Sequence, residues 1–217
     1  MSHSPLLIFD LDGTLIDSRL DLAHAVNATR VRTGRPELEH STIFSYVGNG
    51  APVLIRRALG AEAPQAEVDA ALAFFLDYYR QHAVDYTELY PGVRESLLRL
   101  KESGATLAVL TNKPAGISRH ILDYFGLSAD LLRIYGGNSF EFKKPHPIGI
   151  ATLVADAAAE RSRTWMIGDS SVDIETARNA GVASCGITWG FQPESLKQVP
   201  PDVLVDTLGQ FADHLLA

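Results

Sequence analysis

Two carboxylates, Asp10 and Asp12, follow a short apolar run, Leu6 to Phe9, and precede a glycine. Four apolar residues between a polar N-terminus and a glycine are typical of a strand buried on both faces of a parallel sheet. Ionised carboxylates are costly inside such a strand, so we expect both acids at its C-terminal end, where open α/β sheets bind ligands. Because side chains alternate along a strand, Asp10 and Asp12 should project to one side and Leu11 to the other.

Two like charges this close repel each other, and the usual remedies are a bound cation or a shifted pKa. A hard ion with oxygen ligands, such as Mg²⁺, is the natural candidate. The pattern Asp-x-Asp-Gly also occurs in plain turns and in calcium loops, and taken alone it leaves these alternatives open. A calcium loop needs further oxygen ligands at alternate positions, and Leu15 with Ile16 interrupts that series. The motif therefore disfavours calcium.

The composition is that of an ordinary globular protein. At 217 residues, with 46% hydrophobic and 21% charged residues, the chain can bury an α/β core and carry an inserted lobe. A formal net charge of -7 disfavours nucleic acid as a partner. The opening residues 1–5 lack the features of a signal peptide, and no apolar run is long enough for a membrane span, so we expect a cytoplasmic protein without a membrane partner. The single cysteine, Cys185, has apolar neighbours that predict a buried strand residue.

Hydrophobic periodicity divides the chain into a helical segment and an alternating segment. Between Asp17 and Tyr86 there is no convincing strand, and apolar residues at helical spacing predict a small helical domain of residues 17–86 inserted after the first strand. From Tyr90 onward helices alternate with strands, which predicts a parallel sheet with helices on both faces in a core of residues 1–16 and 87–217. The later strands are predicted at 106–110, 131–135, 164–167, 184–188 and 203–205. The helices are predicted around 22–29, 41–46, 51–59, 68–79, 93–100, 117–125, 147–160 and 172–180.

Four polar clusters fall at the ends of successive elements. They are Asp10 with Asp12, Thr111 with Asn112, Lys143 with Lys144, and Asp169 with Asp173. In a doubly wound sheet the C-terminal ends of the strands converge on one edge, so clusters that are distant in sequence can meet there. Acids, a hydroxyl, an amide and a cation would then share one site.

In this order the clusters resemble the haloacid dehalogenase superfamily of aspartate-nucleophile phosphohydrolases. The resemblance rests on DLDGTL at 10–15, LTN at 110–112, KP at 144–145 and GDSSVD at 168–173, and it covers essentially the whole chain. The helical insertion after the first signature is similar to the helical cap of that family. The implied fold is an α/β, doubly wound parallel-sheet (Rossmann-like) core with an inserted small helical cap domain.

The resemblance implies catalytic roles for five residues. Asp10 would attack phosphorus and become an aspartyl phosphate. Asp12 would protonate the leaving oxygen and then deprotonate the water that hydrolyses the intermediate. Thr111 and the backbone amide of Asn112 would bind phosphoryl oxygens, and Lys144 would offset the negative charge on the phosphate and on Asp10.

The same resemblance implies a Mg²⁺ site and a further substrate contact. Asp10, the main-chain oxygen of Asp12, and Asp169 would ligate the ion, with Asp173 as a direct or water-mediated ligand. Thr14, in the first signature, is an additional candidate for substrate binding.

Structural alternatives stay open for several of these residues. Thr111 can simply end its strand with a side-chain hydrogen bond. Asp173 can be the third residue of a capping box whose N-cap is Ser170. Lys144 can be a solvated loop lysine, as we expect for Lys143; only the family pattern, which places the functional lysine next to proline, favours Lys144.

The inserted domain carries the features that bear on the substrate. Its segment from Tyr46 to Gly50, followed by Arg57-Ala-Leu59, looks like the cap of phosphoglycolate phosphatases, and KKPHP at 143–147 is similar to their third signature. Gly48, Asn49, Gly50 and Arg57 are therefore candidates for contact with a substrate carboxylate, with Arg56 as the alternative arginine. The structural alternative is a glycine turn between two helices, with exposed arginines.

The implied activity is the Mg²⁺-dependent hydrolysis of a small phosphomonoester, in particular 2-phosphoglycolate. Asp12 favours phosphate esters, since dehalogenases of this superfamily lack the second acid. Three alternatives stay open: a phosphatase for a sugar phosphate, nucleotide or pyrophosphate, a phosphomutase, and a non-catalytic phosphate-binding regulatory domain. The expected partner is a small phosphorylated anion, and the expected assembly is a monomer or homodimer.

Overall fold

A computed structural model describes residues 4–217, so part of the opening segment in which we expect no signal peptide lies outside the described residues. The chain separates into two compact units. One contains the chain up to Ile16 together with Leu89–Ala217, and the other is Asp17–Glu88. The unit that begins at Asp17 therefore ends at Glu88, two residues after the predicted end at Tyr86.

The elements follow the predicted alternation. The strands are β1 Leu6–Phe9, β2 Ile16–Asp17, β3 Glu88–Leu89, β4 Thr106–Leu110, β5 Leu131–Tyr135, β6 Thr164–Gly168, β7 Ala183–Ile187 and β8 Val203–Val205. The helices are α1 Arg19–Arg32, α2 His40–Phe44, α3 Ala51–Leu59, α4 Gln65–His82, α5 Val93–Glu102, α6 Ala115–Tyr124, α7 Ile148–Asp156, α8 Ser171–Ala180 and α9 Leu208–Leu216.

The core unit is built on a six-stranded sheet with the order β5-β4-β1-β6-β7-β8, in which every strand pair is parallel. This confirms the predicted α/β fold class. All four residues of β1 are completely buried, as a central strand covered on both faces requires. The chain builds outward from β1 through β4 to β5, then returns to the other side for β6. The C-terminal end of β1 therefore lies at the switch point where such sheets bind ligands.

The strand register brings the polar clusters to one level. Phe9, the last residue of β1, pairs with Val109 of β4 on one side and with Ile167 of β6 on the other. Asp10 therefore leaves the sheet at the same height as the residues that follow β4 and β6. Cys185 is completely buried in β7, as predicted, and burial raises the pKa of its thiol to about 12.

Two helices of the core unit differ from the sequence prediction. The predicted helix at 147–160 ends at Asp156, because Ala158 adopts a left-handed conformation with φ of 48° and the chain turns back toward β6. The sequence analysis missed α9. Its signal is a capping box at Thr207, whose hydroxyl accepts a hydrogen bond from the N–H of Gln210 at 3.2 Å.

The second unit consists of α1 to α4 with short connections, in agreement with the predicted helical domain. Its apolar interior includes Phe75 and Tyr79 of α4, which are almost completely buried, and α1 and α3 both pack on α4. The buried carboxylate of Asp21 accepts hydrogen bonds from the N–H groups of Tyr86 and Thr87 at 2.9–3.1 Å. This fixes the end of the unit to its first helix.

No helix among the described residues 4–217 combines the length and the hydrophobicity that a membrane crossing needs.

Candidate active site

Asp10, Lys144 and Asp173 form a buried ion cluster at the switch point. The N–H of Asp10 donates to the carbonyl oxygen of Ile167 at 2.9 Å, which extends the β1–β6 ladder by one residue. Lys144 Nζ lies 2.9 Å from Asp10 Oδ1 and donates to Asp173 Oδ1 at 2.6 Å. All three side chains are almost completely buried. The structure thus places Lys144 against the carboxylates, whereas Lys143 is half-buried.

Burial and mutual repulsion determine the ionisation of these acids. Burial raises the pKa of Asp10 to about 6, with Asp173 and Asp12 adding to the effect and Lys144 opposing it. The pKa of Asp169 is raised well above its ordinary value by burial, and then by Asp173 and Asp10. Burial alone would lower the pKa of Lys144, but its two carboxylate partners raise it. The site therefore holds more negative charge than Lys144 can neutralise.

The oxygen atoms of Asp10, Asp169 and Asp173 can act as one ligand set. One carboxylate oxygen from each residue lies within 4.8 Å of the others, and all three residues are buried. An all-oxygen, anionic donor set fits a hard divalent cation such as Mg²⁺, which would also relieve the repulsion that raises the pKa of Asp10 and Asp169. The side chain of Asp12 lies outside this set, and the contribution of its main-chain oxygen stays a prediction.

A loop after β7 fixes Asp169, and the sequence analysis did not find it. The N–H groups of Phe191 and Gln192 donate to Asp169 Oδ2 at 2.6 and 3.3 Å. Gly190 is packed so closely that an added Cβ would lie 2.1 Å from the Cβ of Asp169, and one on Gly13, whose φ is +81°, would lie 2.3 Å from Asp169 Oδ2. Two glycines on different loops therefore provide the space for this carboxylate.

Asp12 is paired with Lys113, a residue that the sequence analysis did not single out. Lys113 Nζ lies 2.8 Å from Asp12 Oδ1 and 3.1 Å from Oδ2. The Lys113 side chain is 3% exposed and that of Asp12 is 15% exposed. The sequence feature that could have identified Lys113 is its position directly after Thr111 and Asn112, at the end of β4.

Thr111 and Asn112 organise the site through local hydrogen bonds. Thr111 Oγ1 accepts from the N–H of Lys113 at 3.3 Å, so the strand-end role that we weighed as an alternative is present. The side chain of Asn112 accepts from the N–H of Lys144 at 3.1 Å and donates to its carbonyl oxygen at 3.2 Å. This pair of bonds fixes the backbone of the lysine that contacts Asp10.

Asp173 serves two structural purposes at once. Its Oδ2 accepts from the N–H and the hydroxyl of Ser170 at 3.1 and 2.7 Å, as in a capping box at the start of α8, and its Oδ1 accepts from Lys144. The capping-box alternative for this residue is therefore present, and its role as a metal ligand stays a prediction. Thr14 differs from the other candidates, because it is completely buried and its hydroxyl has no hydrogen-bond partner. Its role in substrate binding stays a prediction.

The remaining candidates lie in the helical unit. Gly48 and Gly50 have φ of 118° and 83° in the connection before α3, and Gly48 and Asn49 are exposed. Arg57 is exposed and donates to the carbonyl oxygen of Tyr46 at 3.1 Å, whereas Arg56 is half-buried and donates to that of Ala63 at 2.6 Å. A depression of about 490 Å³ beside this loop is lined by Ser45, Tyr46, Arg56, Arg57 and Ala61. This connection is thus a glycine turn between helices with two arginines beside it.

Comparison with known proteins extends these observations. A family model described as haloacid dehalogenase-like hydrolase matches residues 7–187. Phosphoglycolate phosphatases from Agrobacterium fabrum and Vibrio vulnificus (strain YJ016) are 37% and 38% identical to the chain, covering 94% and 97% of it and 88% and 96% of their own lengths. A crystal structure from Haemophilus somnus 129pt, described as a predicted phosphoglycolate phosphatase, has a TM-score of 0.93 at 32% identity and 99% coverage of both chains. The matched residues include every acid and both lysines of the site.

Proposed function

The chain belongs to the haloacid dehalogenase-like hydrolase family and is a phosphoric monoester hydrolase, and we propose that it hydrolyses 2-phosphoglycolate with Mg²⁺ through an aspartyl phosphate. The observation that carries the proposal is the buried cluster of Asp10, Asp169 and Asp173 around Lys144. Phosphoryl transfer depends mainly on positioning and on positive charge around the phosphoryl oxygens, and this cluster can hold both a lysine and a cation there.

Asp10 is the proposed nucleophile. At neutral pH its carboxylate is ionised, since its pKa is about 6, and Lys144 at 2.9 Å fixes one of its oxygens. The other oxygen can attack phosphorus, and the leaving ester oxygen then departs with a proton from Asp12. Water activated by Asp12 hydrolyses the aspartyl phosphate and regenerates Asp10.

The phosphoryl group requires donors to its equatorial oxygens. Lys144 and the Thr111 hydroxyl lie at the same edge of the sheet as Asp10, and we propose that both contact these oxygens, together with the backbone N–H of Asn112. A bound Mg²⁺ would add electrostatic stabilisation of the charge that develops on the phosphoryl group. Asp10, Asp169 and Asp173 would hold the ion, and the loop at 190–192 keeps Asp169 in place.

Two features support 2-phosphoglycolate as the substrate. The curated relatives that match nearly the whole chain are phosphoglycolate phosphatases. In the helical unit, Arg56 and Arg57 line one depression beside the loop of Gly48, Asn49 and Gly50, so a positive surface is available for a small carboxylate. We propose that this unit acts as the cap and that Arg57, the exposed arginine, contributes to carboxylate recognition.

The test is phosphate release from a panel of 2-phosphoglycolate, sugar phosphates, nucleotides and pyrophosphate, each with Mg²⁺ and with chelator. We expect a preference for 2-phosphoglycolate that chelator abolishes. Broad activity across the panel would contradict the substrate while leaving the chemistry intact, and activity in chelator would contradict the metal requirement. Conversion of a sugar phosphate to its isomer without phosphate release would identify a phosphomutase.

The role of the cap loop has its own test. Arg57→Met should raise KM for 2-phosphoglycolate and leave KM for 4-nitrophenyl phosphate, which has no carboxylate, unchanged. Arg80→Met is the matched control, since this exposed arginine of the same unit does not line the depression. An equal effect of both substitutions on both substrates would contradict carboxylate recognition by Arg57.

A further inference from the structure

We propose that Lys113 is a positioning residue that orients the Asp12 carboxylate toward the leaving oxygen; this rests on the proposed function of Asp12 as the proton donor. Lys113 Nζ contacts both oxygens of Asp12, at 2.8 and 3.1 Å. Contact with both oxygens restrains rotation of the carboxylate about its Cβ–Cγ bond as well as its distance. A restrained donor loses less entropy when the transition state forms.

The backbone of Lys113 is itself firmly held. Its N–H donates to Thr111 Oγ1 at 3.3 Å, and its carbonyl oxygen accepts from the N–H of Gly137 at 2.9 Å. Gly136 packs so closely that an added Cβ would lie 2.5 Å from the same carbonyl oxygen. The backbone of Lys113 is therefore fixed beside Thr111, and from there its buried side chain reaches the Asp12 carboxylate.

Stability alone gives little reason for this pair. The Lys113 side chain is 3% exposed, so forming the pair requires removal of a charge from water. Replacing a buried ion pair with apolar residues of similar volume is often neutral or stabilising. The contrast with Lys101, whose pair with Asp130 is about half exposed, shows that the chain also forms ordinary surface pairs.

The pair of Lys113 and Asp12 assists the step in which the bond between phosphorus and the ester oxygen breaks. Asp10 forms a bond to phosphorus while the bond between phosphorus and the ester oxygen breaks, and the electron pair of that bond stays on the oxygen. Asp12 enters this step as a protonated carboxyl group, with its unprotonated oxygen held by Lys113, and its proton moves to the ester oxygen, so the alcohol leaves neutral. An ester with a good leaving group, such as 4-nitrophenyl phosphate, needs this proton far less than an alkyl ester such as 2-phosphoglycolate.

The experiment compares kcat for these two esters in wild type, Lys113→Met, Asp12→Asn and the double variant. We expect Lys113→Met to lower kcat for 2-phosphoglycolate by about 10- to 100-fold and to change kcat for 4-nitrophenyl phosphate by less than about 3-fold. The double variant should be no slower on 2-phosphoglycolate than Asp12→Asn alone. Lys101→Met, which removes an ion pair outside the site, is the matched control and should behave as wild type.

Several outcomes would overturn the proposal. An equal loss of kcat on both esters, or additive losses in the double variant, would show that Lys113 acts independently of Asp12. A raised KM with unchanged kcat would make Lys113 a substrate ligand instead. If Asp12→Asn itself loses kcat equally on both esters, the assignment of Asp12 fails and this proposal fails with it. Lys113→Gln gives the same comparison if the Met variant does not fold.

Discussion

Asp10 lies between groups that act on its ionisation in opposite directions. Burial and two neighbouring acids raise its pKa to about 6, and Lys144 limits the rise. A nucleophile needs to be ionised at neutral pH but not so strongly solvated or paired that both oxygens are occupied. The contact of Lys144 with Oδ1 fits that requirement.

Asp10→Asn should abolish turnover and leave the fold intact. The amide cannot form the aspartyl phosphate, so we expect kcat for any phosphomonoester to fall by at least about 10³-fold. Asp173 still pairs with Lys144 in this variant, which leaves the lysine with a partner. Phosphate release and a thermal melt followed by circular dichroism check the two parts. Activity near that of wild type in a homogeneous preparation would remove Asp10 from the nucleophile role.

The sequence predicted the identity of the main site residues better than their bonds. Motif spacing placed Asp10, Asp169 and Lys144 at the ends of successive elements, and the structure brings them together. Motif spacing did not indicate that the side chain of Asn112 binds the backbone of Lys144. The two residues are 32 positions apart in the sequence, and only the folded chain brings them together. Lys113 was missed for the same reason, since its partner Asp12 precedes it by 101 positions.

Among the elements, the connection after β7 has a clear functional consequence. Its N–H groups at Phe191 and Gln192 hold one oxygen of Asp169, and Gly190 allows the backbone to approach that side chain. Backbone donors that orient a ligand carboxylate act as outer partners of a metal site. The local sequence Trp-Gly-Phe-Gln gives no sign of this role, because it depends on the distance to a different strand end.

Gly190→Ala should weaken Mg²⁺ binding, because the new Cβ would lie 2.1 Å from the Cβ of Asp169 and must displace it. Loss of such an outer contact typically reduces metal affinity by about 10- to 100-fold. Isothermal titration with Mg²⁺ in the absence of substrate measures this directly. Gly116→Ala is the control, since no atom lies within 4 Å of the position of its added Cβ. Equal Mg²⁺ affinity in both variants would mean that the loop does not support the metal site.

The joint between β7 and β8 provides a prediction about pH. Ser184 donates to Asp202 Oδ2 through its hydroxyl at 2.7 Å and its N–H at 2.8 Å, and these bonds lower the pKa of Asp202 from 3.8. A carboxyl group with a lower pKa in the folded state adds stability above its unfolded pKa, and that stability is lost as pH falls through the folded value. Asp202→Asn should therefore reduce the free energy of unfolding by about 0.5 kcal/mol at neutral pH, because Asp202 is exposed and solvent screens its charge.

The difference between Asp202→Asn and wild type should disappear as pH falls below the lowered pKa of Asp202. Urea unfolding at a series of pH values measures it, and Asp123→Asn serves as a control at an exposed aspartate outside this joint. A destabilisation that is independent of pH would show that the effect does not come from the charge of Asp202.

The strands of the six-stranded sheet were predictable because each is a short apolar run between turn residues, whereas β2 and β3, with two residues each, were not predicted. β1, β4, β5 and β8 have the predicted bounds. Helix ends were less predictable. The sequence Ala-Ala-Ala-Glu after α7 favours helix locally, yet Ala158 adopts a left-handed conformation so that the chain can return to β6. Tertiary connectivity overrides local propensity at that point.

At the scale of the whole molecule, the fold brings part of the negative charge of the chain together at one buried site. The family match spans residues 7–187 and thus includes the whole of the unit Asp17–Glu88. The chain has a formal net charge of -7, and part of that charge is concentrated in the buried acids of the site. A folded state that holds repelling carboxylates is less stable than it would be with a cation bound among them.

Mg²⁺ should therefore raise the melting temperature of the whole protein. A ligand that binds only the folded state adds about 2.7 kcal/mol at a concentration 100 times its Kd, which corresponds to a shift of about 5–10 °C for a chain of this size. A thermal melt in chelator and in excess Mg²⁺, without substrate, measures the shift. Asp169→Asn should nearly abolish it, because this residue supplies one of the three clustered oxygens. Asp123→Asn should retain the full shift. If wild type shows no shift, or if Asp169→Asn keeps it, the divalent ion does not bind at this cluster in the absence of substrate.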